Sequence, residues 1–265
     1  VIGEVASSRS IAAGAIAQQY KVPMISPAST NPKVTQLGDY VFRACFIDPF
    51  QGKVMAKFAA LNLKKKKAAI LRDIRSDYSV GLADFFTKEF RAMGGEILVD
   101  VAYSSGDIDF KSQLTSIRSK KPEVVFVPGY YTEVGLIARQ AKELNLNAVL
   151  LGGDGWDSDK LTEIGGDAIV GHYFSNHYSQ QDTRPEAVAF VNRYKAKYKE
   201  TPDSMAVLGY DATLVAIEAV KKAKDLTPAS LRDALAATKD VKGVSGNITL
   251  NAQRDPVKSA VVMQV

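Results

Sequence analysis

Residues 68–103 read AAILRDIRSDYSVGLADFFTKEFRAMGGEILVDVAY, and three segments of different period lie within them. The run 68–71 is short, continuous and apolar, as a strand buried on both faces requires. Over 78–94, Leu82, Phe85, Phe86 and Phe90 recur at near-helical spacing and define one apolar stripe. Residues 96–102 return to a strand pattern. Strand, helix and strand in that order imply parallel strands joined by a crossover helix. The alternation continues with strands at 123–127, 148–151 and 170–174 and helices around 110–118 and 132–144. The segment from Ala68 to Gly153 therefore holds four strands of a doubly wound parallel α/β sheet.

Working outward, 1–5, 23–26 and 40–43 read as strands. Residues 8–19 read as a helix with Ile11, Ala12, Ile16 and Ala17 on its apolar side, and 50–63 as another. Three helices follow at 185–198, 205–223 and 228–237, then strand-like pieces at 248–250 and 260–265. That helix-rich block has almost no strands of its own, so its apolar faces need the sheet encoded near the start of the chain. The chain is thus expected to leave a first lobe, build a second and return, crossing near Asp48, 175–178 and 243–247. The expected division is 1–48 with 177–246, and 49–176 with 247–265.

Composition agrees with two lobes. The 265 residues are 46% hydrophobic and 24% charged, which excludes a disordered chain. The one cysteine, Cys45, forms no internal disulfide and builds no zinc cluster by itself, and it reads as a small core residue. The two histidines leave little material for metal or triad chemistry; His172 is expected to be structural and His177 exposed. The net charge of +5 is a weak pointer to an anionic partner. No apolar run reaches the ~18 residues of a membrane span. The chain opens on Val1-Ile2-Gly3-Glu4-Val5 without the basic and apolar regions of a leader.

Four places offer ligand chemistry. Gly152-Gly153-Asp154-Gly155-Trp156 follows a strand, but Ser158 stands where a dinucleotide fingerprint needs glycine. Asp154 lies at a strand's carboxyl end, where open α/β sheets place ligand groups and where a carboxylate draws a cation; a self-bonded turn aspartate is the alternative. Ala6-Ser7-Ser8 joins the first strand to the first helix, and the amides there suit either a capping hydroxyl or an anion. The loop Ser26-Pro27-Ala28-Ser29-Thr30-Asn31-Pro32 offers the Ala28 carbonyl as acceptor and the Thr30 hydroxyl and amide as donors, and reads equally as a plain turn. Tyr78 and Tyr130 follow strands and are placed either to wall a pocket or to be partly buried. The basic run 64–67 reads as a solvated loop, without the interleaved aromatics of a nucleic-acid site. Lipase-type serine, zincin and P-loop motifs are all missing, so no catalytic residue, cofactor or metal is expected.

Taken in order and spacing, these landmarks resemble the periplasmic solute-binding proteins of ABC transporters for branched-chain amino acids. The resemblance runs nearly end to end and is carried by Ser7-Ser8, Met24-Ile25-Ser26-Pro27, Thr30-Asn31-Pro32, Asp48-Pro49-Phe50-Gln51-Gly52, Asp77-Tyr78-Ser79-Val80-Gly81, Gly129-Tyr130-Tyr131 and Gly152-Gly153-Asp154-Gly155. It implies two α/β lobes joined by three crossing segments, a ligand held between them and hinge closure on binding. It also implies an extracytoplasmic location, periplasmic or lipid-anchored, with the transporter's permease subunits as partners and no enzymatic activity. Ser7 matches the serine that holds the ligand carboxylate, Thr30 the threonine touching carboxylate and ammonium, and Ala28 the carbonyl accepting from the ammonium. Asp154 stands at the acidic position that pairs with the ammonium, where the branched-chain prototype has glutamate. Tyr78 and Tyr130 match aromatic positions of the second lobe, and Asp48 a residue near the cleft. Members of the family begin with two further strand–helix units, about 60–80 residues, so the first lobe is expected to be incomplete and to expose apolar faces. A same-fold amide or amino-acid sensor is the alternative function.

Overall fold

Residues 68–71 do form an interior strand of a parallel sheet, in the computed structural model, which describes residues 1–265. The chain divides into two compact units. Unit 1 comprises Val1–Ile47 and His177–Val261; unit 2 comprises Asp48–Asn176 and Val262–Val265.

Unit 1 begins with α1 (Ser7–Gln19), β1 (Met24–Ser26), α2 (Lys33–Gln36) and β2 (Val41–Arg43). β1 and β2 pair in parallel, Met24 opposite Val41. Expected as a strand, 1–5 contributes only a single parallel bridge between Ile2 and Ile25. Val1, Ile2 and Val5 stay largely exposed.

Unit 2 starts with α3 (Asp48–Lys57), which widens into a π-helical turn at Phe58–Asn62. It continues with β3 (Lys67–Asp73), α4 (Asp77–Ala92), β4 (Glu96–Tyr103), α5 (Lys111–Lys120), β5 (Val124–Phe126), α6 (Tyr131–Glu143), β6 (Val149–Gly152), α7 (Asp159–Gly165) and β7 (Tyr173–Asn176). Back in unit 1 come α8 (Pro185–Tyr198), α9 (Ser204–Lys222), α10 (Pro228–Ala236) and the antiparallel pair β8 (Val241–Gly243) and β9 (Gly246–Ile248). β10 (Val261–Gln264) closes the chain at the edge of the six-stranded sheet, whose order is β10-β7-β6-β5-β3-β4.

The central sheet is buried on both faces, which is why its strands read as continuous apolar runs. Successive residues point to opposite sides. Ala68, Ile70, Val124, Phe126 and Leu151 pack under α3 and α4 with Met55, Phe86 and Phe90. Ala69, Leu71, Val125 and Leu150 face Leu114, Ile117, Val134, Ile137 and Trp156. Phe86 stacks on Phe126 with ring centroids 4.1 Å apart. The helices of unit 1 cover its small sheet as expected: Ala212, Val215 and Ala219 of α9 and Leu235 of α10 bury Ile25 and Phe42.

Three expectations about the division need correction. Residues 243–247 are not a crossing; they turn the β8–β9 hairpin inside unit 1. Asp211 of α9 accepts hydrogen bonds there from the Val244 and Ser245 amides at 2.7 and 2.9 Å. Likewise 247–261 belong to unit 1, where Ile248 and Leu250 pack with Ile25 and Phe42. The chain returns to unit 2 only at Val262, and Asp48 opens unit 2 rather than ending unit 1. His177, expected at the surface, is buried and stacks on Phe46 at 3.7 Å. No helix is long and apolar enough to cross a membrane.

Candidate functional site

Each unit carries a polar cluster where parallel segments end. In unit 1, Ile2 and β1 run in parallel, so the turn into α1 and the loop after β1 emerge side by side. Ala6, not a serine, is the N-cap of α1, and it brings no side-chain acceptor. The first turn of α1 therefore offers its amides and the positive end of its dipole without a capping side chain at Ala6. Ser7 is the first helical residue; it is buried, and its Oγ accepts a hydrogen bond from the Asn31 amide at 3.2 Å. Ala28 and Thr30 lie on the adjoining loop, both buried. The Thr30 hydroxyl has no hydrogen-bond partner although it is buried. An orphaned buried hydroxyl carries a desolvation cost, so such groups call for an explanation.

That loop is held from behind by residues whose role sequence reading missed. The Ser26 hydroxyl donates to the Glu4 carbonyl, and the Ser29 hydroxyl lies within hydrogen-bond distance of the Val5 carbonyl, at 2.8 Å, and of Ser10 Oγ, at 2.7 Å. Beneath them lies Arg43, fully buried at the end of β2. Its guanidinium donates to the Ser29 carbonyl at 2.5 Å, to Thr35 Oγ1 at 2.9 Å and to Asp255 Oδ1 at 2.6 Å. Cys45 Sγ points at the same Ser29 carbonyl, 3.3 Å away, and is a core residue as expected.

In unit 2 the strand order itself picks out a location. The chain builds β4 on one side of β3 and then β5 on the other, so the carboxyl ends of β3 and β5 flank a topological switch point. Open α/β sheets bind ligands at such points. Tyr78, in the first turn of α4 after β3, and Tyr130, capping α6 after β5, stand on either side, with ring centroids 5.3 Å apart. Asp154 follows β6 in a 3-10 turn and is buried. The Tyr78 hydroxyl donates to Asp154 Oδ1 at 2.9 Å and accepts from the Gly155 amide at 3.1 Å. Burial, and then the nearby Asp154 and Asp48 carboxylates, push the Tyr78 hydroxyl well above its ordinary pKa, so it remains a donor.

Gln51, on the second turn of α3, ties this cluster together. Its amide oxygen accepts from the Asp154 amide at 3.0 Å and from Ser175 Oγ at 2.8 Å, while its nitrogen donates to Asp48 Oδ1 at 3.1 Å. A glutamine in a helix gives no sequence signal by itself; its full burial is the only mark of its role. The glycines around Asp154 make room for close approach. A Cβ on Gly153 would lie 2.5 Å from the Tyr78 hydroxyl and 2.7 Å from Leu82. One on Gly152 would enter the Trp156 ring, whose Nε1 donates to the Val127 carbonyl at 3.0 Å. Gly153→Ala is therefore expected to displace Tyr78 and to destabilise unit 2 by about 1–3 kcal/mol, the usual cost of overpacking. Denaturant unfolding checks this, and wild-type stability in the variant contradicts the packing described.

The sequence-predicted residues thus fall into two sets. Ser7, Ala28 and Thr30 belong to unit 1; Asp48, Tyr78, Tyr130 and Asp154 belong to unit 2, where Gln51 and Tyr78 link Asp48 to Asp154.

Comparison with known proteins bears on the family and the fold. A family model described as periplasmic binding protein matches residues 1–265. The Leu/Ile/Val-binding protein BraC3 of Rhizobium johnstonii is 33% identical over 257 residues, 96% of this chain and 69% of the relative. The crystal structure of the leucine-binding protein LivK of Thermotoga maritima superposes with a TM-score of 0.96 at 44% identity, over 100% of this chain and 75% of that one. The branched-chain amino acid transporter binding protein LivJ of Streptococcus pneumoniae, solved with isoleucine, gives 0.93 at 34% identity over the same shares. With a family model spanning its whole length and the type I doubly wound architecture in place, the chain belongs to the periplasmic binding protein family.

Proposed function

We propose that this protein is an extracytoplasmic receptor that captures an aliphatic, branched-chain amino acid and delivers it to the permease of an ABC transporter, without altering it. The observation that carries the reading is chemical. A zwitterion needs an anion site and a cation site, and the two units hold one of each. In unit 1, the Ser7 hydroxyl and the orphaned Thr30 hydroxyl, next to the α1 amides, suit a carboxylate. The Ala28 carbonyl on the same loop suits an ammonium. In unit 2, buried Asp154 supplies the opposite charge, with Tyr78 holding one of its oxygens, Tyr130 beside Tyr78, and Asp48 tied in through Gln51. Charge-assisted hydrogen bonds of this kind contribute about 1.5–3 kcal/mol each. The relatives named for leucine, isoleucine and valine, and the isoleucine complex, support an aliphatic side chain as the third element of recognition.

Calorimetric titration with leucine, isoleucine and valine tests the proposal, with leucinamide as the comparison. Saturable binding of at least one of the three is expected, with leucinamide binding measurably weaker. Ser7→Ala should weaken the acids more than any residual amide binding. Equal losses for both ligand types contradict the assignment of the carboxylate to Ser7, and failure to bind all three acids contradicts the ligand class.

A further inference from the structure

The sheet of unit 2 has two ends, and they differ in charge. The candidate site occupies the carboxyl ends of β3, β5 and β6. The segments entering the opposite, amino ends are strongly basic: 64–67 before β3, and Arg118, Lys120 and Lys121 before β5. Within 64–67 and 118–123 these seven cations meet one carboxylate, Glu123. Glu123 is turned to the backbone, accepting from the Lys66 and Lys67 amides at 2.9 and 3.0 Å, and these bonds hold its pKa low. Lys65 is within 3.8 Å of it, while Lys64, Lys66, Lys67, Lys120 and Lys121 are exposed. A groove of about 650 Å³, lined by Lys65, Arg118, Lys121 and Asn145 among others, gathers both basic segments onto one surface.

A second observation lies beside the first. Leu61, in the π-helical turn just before the lysines, is 63% exposed. Phe58, the aromatic of the same turn, is engaged with Tyr173 at 4.9 Å, so these segments offer no ring for stacking bases or sugars. An exposed aliphatic side chain next in sequence to a run of lysines is a pattern that seats a protein on an anionic lipid surface. Nucleic acid would ask for stacking platforms, which are lacking here.

We propose that this pole of unit 2 docks on an anionic phospholipid bilayer, with 64–67, Arg118, Lys120 and Lys121 over the headgroups and Leu61 among the glycerol and acyl-chain tops. The choice of a lipid surface over other polyanions rests on the proposed role as a receptor serving a membrane transporter. The candidate site stands at the other end of the sheet, across the seven-residue β3, roughly 23 Å long, so docking leaves it uncovered by lipid. The attraction is electrostatic and so falls with ionic strength.

The test is co-sedimentation of the intact chain with vesicles of phosphatidylglycerol and phosphatidylcholine, against vesicles of phosphatidylcholine alone. Binding is expected only to the anionic vesicles and is expected to be lost at high salt. The triple variant Lys64→Glu, Lys66→Glu, Lys67→Glu should bind at least about tenfold more weakly. A variant with the same charge change elsewhere on the surface (Lys222→Glu, Lys224→Glu, Lys239→Glu) should lose much less. Leu61→Ser should reduce binding with no change of charge. Equal recovery with neutral vesicles, equal losses in both triple variants, or retention on a dextran sulfate resin without any vesicle binding each overturn the proposal. A thermal shift with leucine run on the same samples separates the two readings: a triple variant that still responds to leucine is folded, and its lipid result stands regardless of the ligand assignment.

Discussion

Asp154→Ala is expected to weaken leucine binding at least about tenfold, measured as Kd by calorimetry, while leaving the protein folded. The reasoning starts from burial. Asp154 is 3% exposed, and one of its oxygens accepts from the Tyr78 hydroxyl. A buried carboxylate with neutral donors attracts an ammonium more strongly than the same group in water, because its own desolvation is already met by the fold. Loss of one charge-assisted hydrogen bond costs about 1.5–3 kcal/mol, roughly tenfold to over a hundredfold in affinity. Asp154→Asn keeps the shape and removes the charge, and should fall close to alanine if charge is what binds. Tyr78→Phe removes only the donor that orients the carboxylate, so its loss should be smaller than that of either Asp154 variant. Wild-type affinity in Asp154→Ala removes the residue from the site and leaves Asp48 as the remaining acidic candidate of unit 2.

These residues differ in how visible they were before the structure. Tyr78, Tyr130 and Asp154 could be singled out because each directly follows a recognisable strand, and the carboxyl ends of parallel strands are where such folds place ligand groups. Period and position were enough. The glycines flanking Asp154 were legible as a turn, but their need for close approach to Tyr78, Leu82 and Trp156 depends on packing between separate elements. Gln51 was illegible for the same reason: helical spacing says which residues share a face, not that one polar side chain will accept from both Asp154 and Ser175. The hairpin at 241–248 was misread as a crossing because its short strands carry little apolar signal, and its turn is fixed by Asp211, more than thirty positions upstream. His177 was misjudged from residue type alone; stacking on Phe46 is a tertiary fact. Residues 1–5 failed in the other direction: their apolar character reads as a strand, but only Ile2 pairs, with Ile25.

The least legible feature carries the second large effect. Arg43→Met is expected to lower the stability of unit 1 by about 3–5 kcal/mol, the usual cost of leaving a buried charge without its partner. Arg43 is fully buried and Asp255 nearly so, and they lie 212 positions apart in the chain. No local pattern links them. With the guanidinium gone, Asp255 keeps only the Thr35 hydroxyl, at 2.9 Å, and the Asn31-side loop loses its donors to the Ser29 and Pro32 carbonyls. The melting temperature should fall by about 10 °C or more. Because that loop carries Ala28 and Thr30, leucine affinity should fall as well, whereas a purely global effect would lower stability and leave the affinity of the folded fraction intact. The double variant Arg43→Met, Asp255→Leu separates the two. Replacing both charges with apolar groups removes the orphaned carboxylate, so stability should recover by a few kcal/mol, about 2–4 by the precedent of buried pairs exchanged for hydrophobic ones. Affinity should not recover, since the Ser29 carbonyl still lacks its donor. If the double variant regains both, the pair serves only to neutralise itself; if Arg43→Met melts like wild type, the buried ion pair does not hold this loop.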